Sequence, residues 1–422
     1  MPDTLRVLVV LPMYGGSLPI GRYCVRALES QGVCLRVFEA PEFYSAFTGL
    51  RRLDLAPEQI TSLEHSFLQL VSQAIFAHVQ TFEPHLVLAL AQAPMGKNLL
   101  LRLQRLGIRT AMWFVEDFAL FQYWKLYAPL YDVFCVIQKE PFFEELAAIG
   151  QKQVLYLPLA AEPDFHRAVS LTAEEKKFYQ ADIAFLGAGY PNRRLAFRPL
   201  AGKNFKIWGS DWDGEEILAA NIQRQGQRIS SEESLKIYSA TTINLNLHSS
   251  VHTDSLVSHG DFVNPRTFEL AAIGAFQLVD QRRLLPELFD ADEIATFDCV
   301  EEMYRKIEFY LHHPEERAAF CEKAKKRVLV SHTYAQRMQT LLAYLEKNLG
   351  FPRFEQDQHK AAQEDDQTKL AIASLLQKLS AGPNAPFEEV VARVRRQSGR
   401  LTPTETSLLF LDEWRKQYLP GK

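Results

Sequence analysis

The sequence lacks the features that would assign it to several specialised classes of protein. Its apolar runs are far shorter than the ~20 residues that a helix needs to cross a bilayer. The formal net charge is only -4, without the strong basic excess that is typical of nucleic-acid-binding proteins. We find no internal repeat and no low-complexity tract. These absences argue against membrane-spanning, nucleic-acid-binding and repeat architectures.

Cysteine is scarce and scattered. The chain has five cysteines, an odd number, and none of them forms a Cys-x-x-Cys pair. This pattern favours reduced thiols in a cytoplasm over a disulfide framework. The first residues lead directly into a strand-like run, without the charged segment and cleavage site of a signal peptide. We therefore predict a cytoplasmic protein, and peripheral contact with the inner membrane face stays open.

Familiar catalytic motifs are missing as well. The sequence has no Gly-x-Ser-x-Gly elbow, no P-loop and no catalytic Cys/His pattern. The composition is that of a globular protein, with 47% hydrophobic and 23% charged residues. A chain of 422 residues is too long for one typical core, so two domains and an appendage are expected.

The first half of the chain alternates short apolar runs with helical stretches. A helix is expected from about Ile20 to Ser30, and Gly32 closes it. Nearly continuous apolar strands that alternate with helices indicate a parallel sheet covered on both faces. The predicted strands of this half are Val7–Leu11, Cys34–Phe38, Leu86–Ala89, Thr110–Val115, Val133–Ile137 and Val154–Leu157.

The same alternation restarts after Leu157–Pro163, which has two prolines and the character of a linker. We predict an α/β fold with two Rossmann-like domains, and we place the boundary between them near residues 158–180. The predicted strands of the second half are Asp182–Gly187, Phe205–Gly209, Thr242–Leu247 and Ala275–Val279, and its helices include Glu232–Ala240, Asn264–Ile273, Glu301–His312 and Glu315–Val330. We predict an N-terminal Rossmann-like domain over residues 1–160 and a C-terminal one over residues 161–335. A helix over 336–350 is expected to pack back toward the N-terminal domain, and residues 351–422 form an extension.

The extension has a different composition from the rest of the chain. Gln356–Gln367 is polar, and three amphipathic helices are expected after it, over Lys369–Leu379, Pro386–Arg396 and Thr402–Tyr418. A partly disordered tail is the alternative. The apolar residues Leu408–Leu411 and Trp414 are too many to leave exposed, so we favour a small helical appendage.

The segment that begins at Asn264 has the clearest chemistry. Asn264 suits the N-cap of a helix, and Pro265 suits its first position. Free amides in the first turn, with Arg266 beside them, would favour a phosphate. Glu269 lies one turn further and can accept both hydroxyls of a ribose. The alternative is that Glu269 is a solvated carboxylate favoured by the helix dipole.

Other candidates follow strand ends, where open α/β sheets place functional groups. Gly15 and Gly16 would let backbone approach a ligand, although an ordinary turn explains them equally well. Glu116 and Asp117 can orient or deprotonate an acceptor hydroxyl, or they are solvated loop acids. His248 has the sequence neighbours His252 and His259, but a contact with donor phosphate or sugar is favoured over a metal site.

Asp211-Trp212-Asp213 has the spacing of a motif in which two carboxylates hold a divalent cation against a nucleotide diphosphate. We interpret it as a surface loop, because it follows a strand of the second Rossmann-like series.

Several of these segments together resemble a known family. The run Asn264–Asp280, with Pro286–Phe289 and His312–Arg317 after it, is similar to the C-terminal half of CgeB-type glycosyltransferases. These belong to the broader family-4-like enzymes of the GT-B fold. The similarity covers roughly residues 1–350 and is strongest over 180–335. It also includes Gly187–Arg194, Tyr238–Ala240, Ser331–Tyr334, Leu157–Pro163 and Trp113–Asp117.

The resemblance implies roles for individual residues. Family-4-like enzymes have two acids separated by seven residues, so Glu269 would hold the donor ribose and Asp261 would face the transferred sugar. Asp261 departs from the family, which has Glu there. Arg193 and Arg194 would neutralise the diphosphate, and no lysine clearly matches, although Lys203 and Lys206 are possible partners. The predicted donor-binding residues are Glu269, Asn264, Pro265, Arg266, Thr267, Phe268, Arg193, Arg194, Gly189, Tyr190, Trp208, Gly209, Gly15 and Gly16, and the predicted catalytic residues are Asp261, Glu116, Asp117 and His248.

The expected function follows from this resemblance. Two Rossmann-like domains would face each other across a cleft, with a nucleotide-sugar donor such as a UDP-sugar against the C-terminal one. The resemblance implies transfer with retention, without metal or other cofactor, to an unidentified glycan, lipid-linked or protein acceptor. No nucleic-acid partner is expected, and the extension is a candidate for oligomerisation. The alternatives are a nucleotide-sugar epimerase on the same fold and a non-catalytic binding or assembly protein.

Overall fold

The computed structural model describes residues 4–352, 369–383 and 385–418. The chain divides into two compact units, Met1–Pro352 and Arg353–Lys422. The first unit contains two parallel β-sheets, each with helices on its faces. Each sheet is formed by one continuous stretch of chain. Because the strands are parallel, each connection brings the chain back to the edge at which the strands begin.

The first sheet has six parallel strands in the order β2-β1-β3-β4-β5-β6. Successive residues of β1 point to opposite faces, so that Val7 and Val9 join one apolar cluster while Leu8 and Val10 join another. Burial on both faces explains the continuous apolar runs of the sequence. The strands are β1 Arg6–Val10, β2 Cys34–Phe38, β3 Leu86–Leu90, β4 Arg109–Phe114, β5 Val133–Val136 and β6 Val154–Tyr156.

The second sheet has five parallel strands in the order β11-β10-β9-β7-β8. The sequence predicted four of them, and the edge strand β11 was not predicted. Asn246 and Asp280 end two neighbouring strands, whose carboxyl ends therefore lie at one edge. The strands are β7 Ala181–Leu186, β8 Phe205–Trp208, β9 Thr241–Asn246, β10 Gln277–Asp280 and β11 Ala295–Phe297.

The α-helices of the first unit cover the two sheets. They are α1 Ser17–Ser30, α2 Tyr44–Gly49, α3 Pro57–Phe82, α4 Lys97–Arg105, α5 Trp124–Tyr127, α6 Phe142–Ala148, α7 Ala173–Tyr179, α8 Pro191–Phe197, α9 Ser231–Ala240, α10 Pro265–Ile273, α11 Val300–His312, α12 Pro314–Ser331 and α13 Tyr334–Asn348. Short 3₁₀ turns occur at Ala40–Phe43, Leu50–Arg52, Ala128–Leu130, Arg198–Leu200, Arg224–Gly226 and Leu285–Glu287. Within the described ranges, the helices are all too short or too polar to cross a membrane.

The two sheet-containing halves share one apolar cluster. Trp113 of the first sheet and Phe268 of α10 both belong to it, and so does Tyr334 at the start of α13. Helix α13 packs on α1, where the Gln31 side chain donates a hydrogen bond to the carbonyl of Ala335 at 2.8 Å. The halves are therefore held together by buried apolar surface as well as by the chain itself.

The chain passes between the halves at two adjacent places. Ala161 lies in the first crossing and Thr333 in the second, and the two form a parallel β-bridge. The amide of Ala161 donates to the carbonyl of His332, and the amide of Tyr334 donates to the carbonyl of Ala161, both at 3.0 Å. Arg337 in α13 donates to the carbonyls of the first crossing at Pro158 and Leu159.

The second unit is helical where it is described. Its helices are α14 over residues 369–378, α15 Phe387–Arg396 and α16 Pro403–Tyr418. Leu375, Leu379, Val390 and Val394 form its apolar core, and Leu408 and Leu409 pack against it. The predicted polar segment Gln356–Gln367 lies outside the described residues.

The expectation that the whole apolar run of α16 is covered is wrong. Phe410 is 70% exposed and Leu411 is 51% exposed. Consecutive residues of a helix are about 100° apart around its axis, so four neighbours cannot all face one core.

Candidate functional site

The start of helix α10 has the predicted cap. The side chain of Asn264 accepts a hydrogen bond from the amide of Thr267 at 3.1 Å, and Pro265 occupies the first helical position. Gly274 ends the helix in the left-handed region at φ +78°. Pro265 has no N–H and the amide of Thr267 is bonded to Asn264, whereas the amide of Arg266 has no hydrogen-bond partner among the described residues. The first turn thus offers the Arg266 amide to a ligand.

His248 holds this helix start in place. Its Nδ1 lies 2.7 Å from the Asp280 carboxylate, and its Nε2 accepts a hydrogen bond from the amide of Asn264 at 2.9 Å. Burial lowers the pKa of His248 to about 4, so the ring is neutral at pH 7 with its proton on Nδ1. His248 is predicted to contact the donor. In the structure both of its ring nitrogens are bonded to protein groups, and through Nε2 it positions Asn264.

Two guanidinium groups lie next to this helix start. Arg193 and Arg266 both stack over the ring of Phe185, at 5.0 Å and 5.4 Å from its centroid. Arg193 is buried and donates to the carbonyls of Leu247 and Ala188. Burial and the neighbouring charge of Arg266 lower the pKa of Arg193 to about 9. Within the described part of the chain, neither group lies within 4 Å of a carboxylate.

Arg266 is the more accessible of the two. Its guanidinium makes two long hydrogen bonds, both at 3.3 Å, to the hydroxyl of Tyr238 and to the side-chain oxygen of Asn246. Its third nitrogen points at Gly187, since a β-carbon there would lie 3.2 Å from it. A cation with weak partners and no facing acid is suited to an anionic ligand.

The other cations predicted for the diphosphate are occupied elsewhere. Arg194 donates to the carbonyls of Gly189, Asp211 and Asp213, so it holds two loops together. Lys203 pairs with a glutamate, and Lys206 donates to a backbone carbonyl. The predicted phosphate role of Arg194, and the possible role of the two lysines, would require these donors to exchange their present partners for a phosphate.

Glu269 lies one turn into α10, and its side chain is 20% exposed. Burial raises its pKa to about 7, and the nearby Arg266 opposes that shift. His166 Nε2 is 3.7 Å from the carboxylate, and its Nδ1 accepts a hydrogen bond from the amide of Glu162, so the proton is on Nε2 and faces Glu269. Burial lowers the pKa of His166 to about 4.

Several other residues of the predicted donor set are part of the core. Phe268 and Trp208 are fully buried, and Thr267 is buried with its hydroxyl donating to the cap residue. Trp208 packs against Tyr179 with the two rings tilted, at a centroid distance of 5.5 Å. These three residues are predicted to contact a donor, and in the structure their side chains are directed into the protein.

The glycines of this edge allow close backbone contacts. A β-carbon at Gly189 would lie 2.2 Å from the carbonyl oxygen of Asp211, and one at Gly209 would lie 2.6 Å from the carbonyl oxygen of Gly187. Both glycines therefore pack loop against loop. Tyr190 is partly exposed, and Arg193 lies over its ring at 5.3 Å. Asp211 is exposed, and Trp212 packs into the core.

Asp261 lies where the two halves meet. Gln138 of the first half donates to its carboxylate at 2.9 Å, and Arg283 lies 3.4 Å from its other oxygen. Gln138 also accepts the amide hydrogen of Phe118 at 3.0 Å. No local pattern marks Gln138 or Arg283 in the sequence, because they reach Asp261 only through the tertiary fold.

Glu116 and Asp117 follow strand β4, as predicted. Glu116 accepts hydrogen bonds from the Tyr123 hydroxyl, at 2.7 Å, and from the Gln92 amide, and burial raises its pKa. Asp117 accepts the amide hydrogen of Ala119. Nearby, Gly15 has φ +97°, and a β-carbon there would lie 3.3 Å from the side-chain oxygen of Gln92, while the space around Gly16 is open.

The fold and site define a class of protein. Two parallel α/β sheets meet at their carboxyl edges, with the cationic pair at one of them, and the chain has the GT-B fold. Residues 193–343 match a family model described as glycosyl transferase-like. Residues of this match include Arg193, Arg266 and Glu269.

The predicted resemblance to CgeB-type glycosyltransferases is confirmed. The spore protein CgeB of Bacillus subtilis (strain 168) is 23% identical over 269 residues, which cover 61% of this chain and 81% of that protein.

Solved structures agree on the fold. Sucrose-phosphate synthase from Thermosynechococcus elongatus is 13% identical with a TM-score of 0.55, over 81% of this chain and 99% of that one. HepE from Anabaena, solved in complex with UDP and glucose, is 10% identical with a TM-score of 0.55, over 82% of this chain and 100% of that one. At these identities the likeness supports the fold alone.

Proposed function

We propose that the chain transfers a sugar from a nucleotide sugar, with UDP as the nucleotide, to an acceptor, with retention at the anomeric carbon. The observation that carries this proposal is the guanidinium pair of Arg193 and Arg266 over the ring of Phe185, with Arg266 one helical turn before Glu269. Two neighbouring cations in a partly buried site repel each other, and a diphosphate would remove that repulsion.

In this proposal the charges act where negative charge develops. The bond from the sugar to the diphosphate breaks, and its electron pair passes to a phosphate oxygen beside Arg266 and Arg193. The free amide of Arg266 adds a donor at the positive end of α10. Glu269 accepts hydrogen bonds from the ribose hydroxyls. This suits a carboxylate that is largely buried yet receives few hydrogen bonds from the described residues around it.

The other half supplies the acceptor side. Glu116 and Asp117 orient the acceptor hydroxyl, and Asp261 faces the transferred sugar from the place where Gln138 joins the two halves. The reaction needs no metal, because guanidinium groups neutralise the leaving group. HepE, which was solved with UDP and glucose, supports UDP as the nucleotide to test first.

The first test is calorimetric titration of UDP into the wild-type chain and two variants. We expect Glu269→Ala to weaken UDP binding by about 100-fold or more, because a buried two-hydroxyl contact is lost. Glu308→Ala, which removes an exposed acid paired with Lys203, is the matched control and should bind as wild type. Wild-type affinity in Glu269→Ala, with a native circular dichroism spectrum, would refute the assignment.

The second test identifies the reaction. A UDP-sugar incubated without acceptor should stay unchanged apart from slow hydrolysis, and with acceptor it should give a product of the same anomeric configuration, read by NMR. Conversion of the donor alone into an isomer would instead establish the epimerase. Normal UDP binding without any turnover across acceptors would favour a binding protein.

A further inference from the structure

The first half has a large cavity that the proposed donor site does not use. Its volume is about 790 Å³, and it lies between helices α3 and α4, beside the loops that follow β1 and β3. Small-molecule sites in proteins occupy about 300–1,000 Å³, so the space is ample for a compact organic molecule. The site around Glu269 and Arg266 is separate from it.

The wall of this cavity is rich in methionine and aromatic side chains. Met13, Phe76, Met95, Leu99 and Met112 line it, and all five are buried against the sheet. The polar lining residues Gln69, Lys97 and Asn98 are exposed and lie toward the opening, so the hydroxyls of a carbohydrate placed against this inner wall would lose water without gaining partners from it. Thioethers and rings instead adapt to flat apolar surfaces, so the wall favours a ligand with an apolar body.

Four tyrosines add a second kind of contact. Tyr14 at the rim is 48% exposed and stacks on Tyr44, with ring centroids 4.7 Å apart. Tyr123 and Tyr127 line the interior. Tyr131 also lines it and is 4% exposed, and its hydroxyl has no hydrogen-bond partner among the described residues. A buried hydroxyl without a partner is unfavourable, and a polar atom of a ligand in the cavity would satisfy it.

The cavity is connected to the proposed chemistry through Glu116. Gln92 and Tyr123 line the cavity, and both donate hydrogen bonds to the Glu116 carboxylate. Two residues further along, the amide of Phe118 donates to Gln138, whose own amide reaches Asp261. A ligand in the cavity therefore lies beside the loop that joins the first half to Asp261.

We infer that this cavity holds the acceptor, and that the acceptor is a hydroxyl-bearing molecule with an aromatic body, not a carbohydrate. This inference rests on the proposed transfer function. The aromatic body lies between the methionines and the tyrosines, and its hydroxyl points to Glu116. The acceptor oxygen forms a bond to the anomeric carbon on the face from which the diphosphate departs, as retention requires, the bond to the diphosphate breaks, and Glu116 takes the hydroxyl proton.

The test uses 4-methylumbelliferone, a fluorescent aromatic alcohol, in equilibrium dialysis with the full chain. We expect saturable binding to wild type. Gln73→Trp should weaken it by about tenfold or more, since Gln73 is exposed at the rim and a tryptophan there fills the opening. Tyr131→Phe should weaken it by about three- to tenfold while leaving stability unchanged or higher. Tyr310→Phe, a buried tyrosine of the other half, is the matched control.

The UDP affinity of each protein is measured in parallel to separate the two hypotheses. The inference is wrong if UDP binds normally but the probe does not bind wild type. It is also wrong if UDP binds normally and the probe binds both cavity variants with the affinity of wild type. In either case the transfer proposal stands. Displacement of the probe by methyl glucoside would also refute it, because it would show a carbohydrate acceptor in the cavity. Failure of wild type to bind UDP would overturn the proposed function on which the inference rests.

Discussion

The two halves of the first unit have the same architecture but different chemistry at their strand ends. In the second half, the strand ends are polar and buried. The amide of Asn246 donates to Thr267 and to Gln277, and its oxygen accepts from Asn264. In the first half, the corresponding edge leads into an apolar cavity with Glu116 beside it.

The fold therefore determines where a site lies, and the strand-end residues decide what it can bind. A satisfied polar network holds the start of α10 rigidly, as the stabilisation of a charged ligand requires. An apolar wall adapts its shape instead, as recognition of a ligand body requires. Four measurements test this division of roles.

The largest effect is expected from the apolar cluster that both halves share. Phe268→Ala should lower the free energy of unfolding by about 3–5 kcal/mol, because it opens a cavity around a fully buried ring. Urea unfolding should still show one transition, since residues of both halves belong to the cluster. Phe178→Ala, at a ring 46% exposed, should change little. Two separate transitions would show that the halves are independent.

The second expectation concerns the carboxylate of Glu269 and pH. Its pKa is about 7 in the folded chain and near 4.3 when unfolded, so the folded state binds more protons between these values. The stability of wild type relative to Glu269→Gln should therefore be largest near pH 4 and fall by up to about 3 kcal/mol as pH rises through 7. Urea titrations at pH 5 and pH 8 test this.

Two controls belong to that measurement. Glu308→Gln, at an exposed acid, should show no comparable change between the two pH values. His166, with a pKa lowered to about 4, is already neutral across this window. A parallel pH response in wild type and Glu269→Gln would mean that another group titrates.

The third effect is on ligand binding. Arg266→Leu should weaken UDP binding by about 100-fold, or roughly 2.7 kcal/mol, because a charge-assisted contact is lost. The comparable change in the first half, Arg22→Leu, removes a guanidinium paired with Glu39 and should leave UDP binding intact. Equal losses in both variants, measured by calorimetry, would contradict the assignment of the donor to the second half.

The smallest effect is expected where the halves touch. Gln138→Leu removes the hydrogen bond to Asp261 and the acceptor for the Phe118 amide, and should destabilise the fold by about 1–2 kcal/mol. Gln122→Leu, at an exposed residue with only local hydrogen bonds, is the control. Unchanged urea midpoints in both would show that this contact adds nothing to the packing between the halves.

Much of the fold could be predicted because its determinants are local. Strand Cys34–Phe38 was predicted residue for residue, and the other predicted strands lie within two residues of those observed. Helix α10 was predicted because its cap, proline and closing glycine are neighbours in sequence. Strand Ala295–Phe297 was missed because three residues at a sheet edge show no readable periodicity.

The site was harder to predict because side chains are directed by distant partners. His248 is bonded to Asp280, and Arg194 is held by Asp211 and Asp213 from another loop. Both look like ligand-binding residues in sequence, and both are internal supports in the structure. The reverse holds for His166, which faces Glu269 although nothing in its sequence neighbourhood marks it.

The paired crossings at Ala161 and Thr333 have a mechanical consequence. Two adjacent connections joined by backbone hydrogen bonds define one hinge axis, and rotation about it keeps those bonds, whereas sliding or twisting would break them. Arg337 bonds the helix after the second crossing to carbonyls of the first, so bending at one crossing is coupled to the other. We therefore expect any rotation of one half against the other to follow a single path, which one pair of fluorophores across the halves would report as one changing distance.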